Sequence, residues 1–152
     1  MGTDISLYVE IKDKSRKWHI VKKPAFPCRQ CKDPDYENEC IWCNNSEVFI
    51  SRNYILFTVL AGVKGWNLPD GWKIISAPKG IPKNVSEELR ELLLYGNDDH
   101  TLSYYTYSQL KKYNWEEVDK DEFTNVLIPL LHNLSEKHSG DSKVRIVFGF
   151  DN

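Results

Sequence analysis

The apolar positions divide the chain into two strand-like ends and a helical middle. Ile5, Leu7, Val9 and Ile11 alternate with polar or amphipathic residues, the period of two that marks a half-buried strand. Lys17 to Lys22 reads as a second short strand, and the DKSR stretch at 13–16 supplies the turn of an N-terminal hairpin. Val144, Ile146, Phe148 and Phe150 alternate in the same way near the end of the chain, giving a strand that can pair with that hairpin.

Between these ends the period lengthens. Ser51 is placed to cap a helix through RNYILFTVLAG, with Tyr54, Phe57, Leu60 and Ala61 on one face and Gly62 ending it. KIISAP reads as a short strand. Ser86 followed by Glu87 and Glu88 opens a second helix, because early carboxylates suit the positive end of the helix dipole. TYSQLKKY gives a short third helix. Asp119 to His138 carries Phe123, Val126, Leu127, Leu130, Leu131 and Leu134 at helical spacing, with Pro129 expected to kink it. These elements predict an α+β fold, a small antiparallel sheet of the N-terminal hairpin plus the C-terminal strand, covered by helices on one side. One domain over 1–152 is expected, with a cysteine-bearing insertion at about 24–48.

Composition narrows the classes. Hydrophobic residues make up 41% and charged residues 28%, as in a globular domain, and the formal net charge is −2. No global basic field draws such a chain to duplex nucleic acid or to an anionic membrane surface. No apolar run approaches the ~18 residues of a spanning helix. The first residues, MGTDISLYVEIKD, lack the apolar block of a secretion signal, so a cytoplasmic protein is expected.

All four cysteines fall in PCRQCKDPDYENECIWC, as Cys28-x-x-Cys31 and Cys40-x-x-Cys43. Disulfides are not expected in the cytosol, whereas two such knuckles let four thiolates converge on a structural Zn²⁺. Four buried free thiols, or a redox or iron–sulfur site, are the competing readings. A closed four-thiolate site leaves no coordination position for substrate. The loop between the pairs carries Asp33, Asp35, Glu37 and Glu39 against Lys32, which opposes phosphate binding there.

Three polar clusters are candidates for a site. Arg52, Asn53 and Tyr54 stand at a helix start, where free backbone N–H groups and an arginine fork suit a phosphate; an ordinary first turn is the alternative. Lys79 lies in APKGIP, a stiff loop whose glycine allows close backbone approach to a ligand, or merely turns the chain. His100, Ser103, Tyr104 and Tyr105 lie within NDDHTLSYYTY, with hydrogen-bonding groups and aromatic faces close together. Alternation would send Tyr104 and Tyr105 to opposite sides. No nucleophile elbow, phosphate loop, zinc-protease helix or dinucleotide glycine fingerprint occurs in the sequence.

Four stretches in order, MGTDIS (1–6), RNYILF (52–57), PKGIP (78–82) and DHTLSY (99–104), carry a resemblance over roughly residues 1–110. The chain resembles a family of small phage and bacterial proteins with MGTDIH, paired Cys-x-x-Cys knuckles, RNYDLF, PRGLP and DHSHSW. Where that family has histidine, aspartate, arginine and a second histidine, this chain has Ser6, Ile55, Lys79 and Leu102. Loss of those histidines weakens bond-breaking chemistry and leaves groups able to hold an anion and stack on a base. The remaining set is similar to that of phage sponges, such as the anti-CBASS proteins, that sequester a cyclic dinucleotide signal of bacterial immunity. The resemblance implies a homo-oligomer with a ligand pocket at its interface, in the cytoplasm of an infected host. Two other readings stand beside it: a nucleotide phosphodiesterase using His100, and a zinc-ribbon adaptor that binds another protein.

Overall fold

The two alternating ends of the chain become the centre of one sheet. The computed structural model describes residues 2–22, 46–96 and 99–151. Strand β1 (Asp4–Lys12) and strand β5 (Val144–Asp151) pair antiparallel from Asp4 opposite Asp151 to Ile11 opposite Val144. Strand β2 (Trp18–Ile20) returns beside β1 after a turn in which Asp13 accepts from Lys17 N at 2.9 Å and from Ser15 Oγ at 2.8 Å. A two-residue strand β3 (Glu47–Val48) pairs with Leu7 and Tyr8 of β1. Strand β4 (His100–Thr106) lies outside β5, so the order is β2-β1-β5-β4 with β3 beside β1.

Both faces of this sheet are buried. Ile5, Leu7 and Val9 share the first face with Val144, Ile146, Phe148, Phe150 and Tyr105. Helix α1 (Tyr54–Ala61) packs there with Leu56, Phe57, Val59 and Leu60 inaccessible to solvent, each worth about 1.5–3 kcal/mol on burial. Asn53 caps α1 by accepting from Leu56 N at 3.1 Å, and Gly62 ends it at a left-handed φ of 72°. The same core takes residues from α3 (Tyr107–Leu110), α4 (Trp115–Val118), a wide π-type turn (Phe123–Leu127) and α5 (Ile128–Lys137).

The second face carries Tyr8 and Val147, covered by Val85, Leu89 and Leu93. Of these, Leu89 belongs to α2 (Glu87–Glu91), and Leu93 to the wide turn that follows (Leu92–Gly96). Ser86 caps α2, as expected, by accepting from Leu89 N at 3.4 Å. Glu10 and Arg145 are buried on this face as an ion pair, with Nη2 to Oε1 at 2.6 Å.

Several expectations are corrected by this architecture. Helical structure covers both faces of the sheet, because Tyr8 and Val147 interrupt the polar half of the alternation and need cover of their own. The sheet also gains β3 and β4, which were not foreseen as strands. KIISAP forms no strand; Ile75 N donates to Val59 O of α1 instead. Ser51 is not the cap of α1, since its hydroxyl donates to Glu122 at 2.6 Å and Asn53 takes that role. The segment from Asp119 to His138 is not one helix. Asp119 is extended and its carboxylate accepts from Asp121 N and Thr124 N, which restarts the helical run; Pro129 then sits in the first turn of α5 just after the π-type turn.

Candidate functional site

Strand β4 is an outer strand, and its open side would be a template for pairing if left bare. The chain from Ser76 to Gly80 runs along it instead. Lys79 N donates to Ser103 Oγ at 3.2 Å and Gly80 N donates to Leu102 O at 2.8 Å. Ser76 Oγ and the Tyr105 hydroxyl share a hydrogen bond of 3.1 Å. Gly80 takes a φ of 80°, which only glycine adopts cheaply, so the glycine serves the turn. Pro78 and Pro82 stiffen the chain on both sides.

This path sets the Lys79 ammonium beside two rings, 4.2 Å from the Tyr104 centroid and 4.6 Å from that of Tyr105. The strand sends these tyrosines to opposite faces, as alternation requires: Tyr105 enters the first core and Tyr104 packs against the second. An ammonium at the strand's edge can therefore touch both rings, an arrangement their quadrupoles favour. Among the described residues no carboxylate forms an ion pair with Lys79, and burial pulls its pKa below the ordinary 10.5. A partly desolvated cation with no ion-paired carboxylate among the described residues is a place for an anion.

A cleft of about 450 Å³ opens here, lined by Lys73, Ser76, Lys79, Tyr105, Lys112 and Tyr113, with Ile74, Ile75 and Gln109 completing it. The volume lies within the range of small-molecule sites. Three lysines give it a positive lining in a chain whose net charge is −2. Its aromatic members are fixed. Tyr105 donates to Leu60 O at 2.6 Å, and burial raises its pKa, so the phenol stays neutral. Tyr113 donates to Lys73 O at 3.2 Å and packs on Trp115, with ring centroids 4.9 Å apart. The arrangement can bind a phosphate through ammonium groups and present rings to a base.

The structure thus brings Lys79, Ser103, Tyr104 and Tyr105 together. Ser103 is fully buried and positions Lys79 through its backbone. The other candidates lie outside this lining. Arg52 is held by Asp4 in a two-point pair, Nε to Oδ1 and Nη2 to Oδ2, both at 3.0 Å, which raises its pKa. Asn53 is occupied as the cap of α1, and its amide donates to Val118 O at 3.2 Å. The Tyr54 hydroxyl accepts from Thr3 N at 3.3 Å, and its ring meets Trp66 edge-on. Arg52 and Tyr54 thus tie Asp4 and Thr3 to the start of α1, while Asn53 ties that helix to the end of α4. His100 is exposed at the far end of β4, with Nδ1 2.7 Å from Thr101 Oγ1.

Cys28, Cys31, Cys40 and Cys43 lie outside the described residues, and no cluster of three or more potential metal ligands occurs among the described ones. No helix among the described residues is long and apolar enough to cross a membrane. Sequence reasoning missed Lys73, Lys112 and Tyr113. The interleaving of lysine and aromatic residues in KKYNW (111–115) was the available signal, but only folding places it opposite Lys73. The reading of this site rests on its own geometry, for no protein-family model, curated protein or solved structure matches the chain.

Proposed function

We propose that this chain binds and retains a small phosphate-bearing nucleotide in the Lys73–Lys79–Lys112 cleft, and that it does so to sequester a cyclic dinucleotide signal. The observation that carries the proposal is Lys79, a cation over two tyrosine rings with no ion-paired carboxylate among the described residues, facing a cleft with two further lysines. Resemblance to phage proteins points to bacterial immune signalling as the source of the ligand. Retention is favoured over cleavage because the titratable side chains lining the cleft are three lysines and two tyrosines, while His100 is placed elsewhere on β4. In this proposal the four cysteines hold a structural zinc, on their spacing alone.

The test is titration calorimetry of cyclic dinucleotides with the full chain and with Lys79→Met. A charge-assisted contact is worth about 1.5–3 kcal/mol, so the variant loses roughly 10- to 100-fold in affinity. Arg52→Ala stays within about twofold of the parent, since its guanidinium is committed to Asp4. Equal affinity of the parent and Lys79→Met would remove the cleft as the site.

A further inference from the structure

The cleft does not end at Tyr113. Beyond that ring lies a second depression of about 470 Å³, whose lining includes Tyr107, Tyr113, Asn114, Glu116, Thr124 and His132. A smaller one of about 270 Å³ shares Lys112 and Tyr113 with the first and Tyr113 and Asn114 with the second. Tyr113 therefore lines all three and stands as a partition between the first depression and the second.

The partition is held in place. Tyr113 is bonded to Lys73 O at one end and packed on Trp115, whose indole N–H donates to Leu110 O at 2.7 Å. The far wall is fixed too, with the Tyr107 hydroxyl 3.2 Å from His132 Nδ1 and His132 Nε2 3.1 Å from Glu136. Neither half has to be created when a ligand arrives, and preorganisation of this kind lowers the cost of binding.

The two halves differ in charge. The first has Lys73, Lys79 and Lys112. In the second, Lys111 is ion-paired with Asp141, and Glu116 adds a negative group to the lining. Phosphate is thus favoured on the first side and at the Lys112 ridge, and disfavoured deep in the second. The second half instead offers Asn114, Thr124 and the Glu116 carboxylate, which suit the amino and ring-nitrogen edge of an uncharged heteroaromatic base.

We propose that the two clefts are halves of one site for a ligand whose two heteroaromatic bases are joined through phosphate, one base on each side of Tyr113. This rests on the nucleotide reading above and deepens it. A single chain then supplies both base-binding halves, so a full site does not require a second copy of the chain.

The experiment titrates the full chain with AMP, 5′-phosphorylated linear diadenylate and cyclic di-AMP. At least one of the two-base ligands binds at one per chain and at least tenfold tighter than AMP; the form that shows the gain identifies linear or cyclic chemistry as the source. Glu116→Trp fills the second half and lowers two-base affinity to the AMP level while AMP binding holds. Asn114→Trp, which intrudes from another position, gives the same pattern and guards against a folding defect in one variant. Equal affinity for AMP and both two-base ligands overturns the two-half site and leaves the nucleotide reading standing, as does a Glu116→Trp effect that is absent or equal on both classes. Binding of none of the three overturns this inference together with the reading beneath it.

Discussion

Replacing Arg145 with methionine removes one half of the ion pair that anchors the second face of the sheet. Glu10 is fully inaccessible and Arg145 is 3% exposed. The guanidinium donates to Glu10 Oε1 from Nη2 at 2.6 Å and from Nε at 2.9 Å, and to Asn84 Oδ1 from Nη1 at 2.9 Å. Its carbon lies 3.8 Å from the centre of the Trp18 ring. In Arg145→Met the Glu10 carboxylate stays buried without its counter-charge, which costs about 3–5 kcal/mol. Against a total stability of roughly 5–15 kcal/mol for a domain, this is a large fraction. With a urea slope of about 2 kcal/mol/M, the unfolding midpoint falls by about 2 M.

A double variant, Glu10→Leu with Arg145→Met, removes both charges and recovers part of the loss. It does not recover all of it, because Glu10 Oε2 also accepts from Ser86 N at 2.9 Å, and that part-buried N–H then lacks its acceptor at a cost of about 1 kcal/mol. The order of midpoints is therefore parent, double variant, Arg145→Met, read from urea denaturation by circular dichroism. A single variant within ~0.5 M of the parent, or a double variant below the single, would refute the claim that the pair is desolvated and coupled.

Three further outcomes follow from the site and the cysteines. Anion binding needs the Lys79 ammonium, whose pKa burial holds below 10.5, so nucleotide affinity falls as pH rises and reaches half its effect below 10.5; a flat profile to that pH contradicts the role given to Lys79. The same depression means that the unliganded fold carries a desolvation cost at lower pH that is relieved as pH rises through the folded pKa, whereas a bound anion stabilises the charged form and opposes it. Elemental analysis of the purified chain gives about one zinc per chain, and Cys28→Ser with Cys31→Ser abolishes it, while zinc unaffected by that change removes the four-thiolate assignment.

The parts of the fold that were legible in the sequence are those fixed by local pattern. The alternation of β1 and β5, the hairpin to β2 and the stop at Gly62 each depend on residues close together in the chain. Strand β4 was not legible because its register shifts between His100 and Ser103 and Thr101 takes a positive φ of 56°, so apolar and polar positions do not alternate cleanly. The choice of Asn53 over Ser51 as cap was decided by Glu122, far along the chain, which captures the serine hydroxyl. Arg52 shows the same limit in the candidate site. Its chemistry reads as phosphate-binding until the fold supplies Asp4, while Lys79 and Tyr105 were visible and Lys73, Lys112 and Tyr113 became partners only through the third dimension.

The measurement that tests the central claim most directly is recovery of ligand from the protein itself. The purified chain is incubated with a panel of cyclic di- and trinucleotides, freed of unbound material, denatured by heat, and the released fraction is chromatographed. The account predicts an intact cyclic dinucleotide at close to one per chain, lost in Lys79→Met. A chemically altered nucleotide, or none retained from the panel, would contradict it.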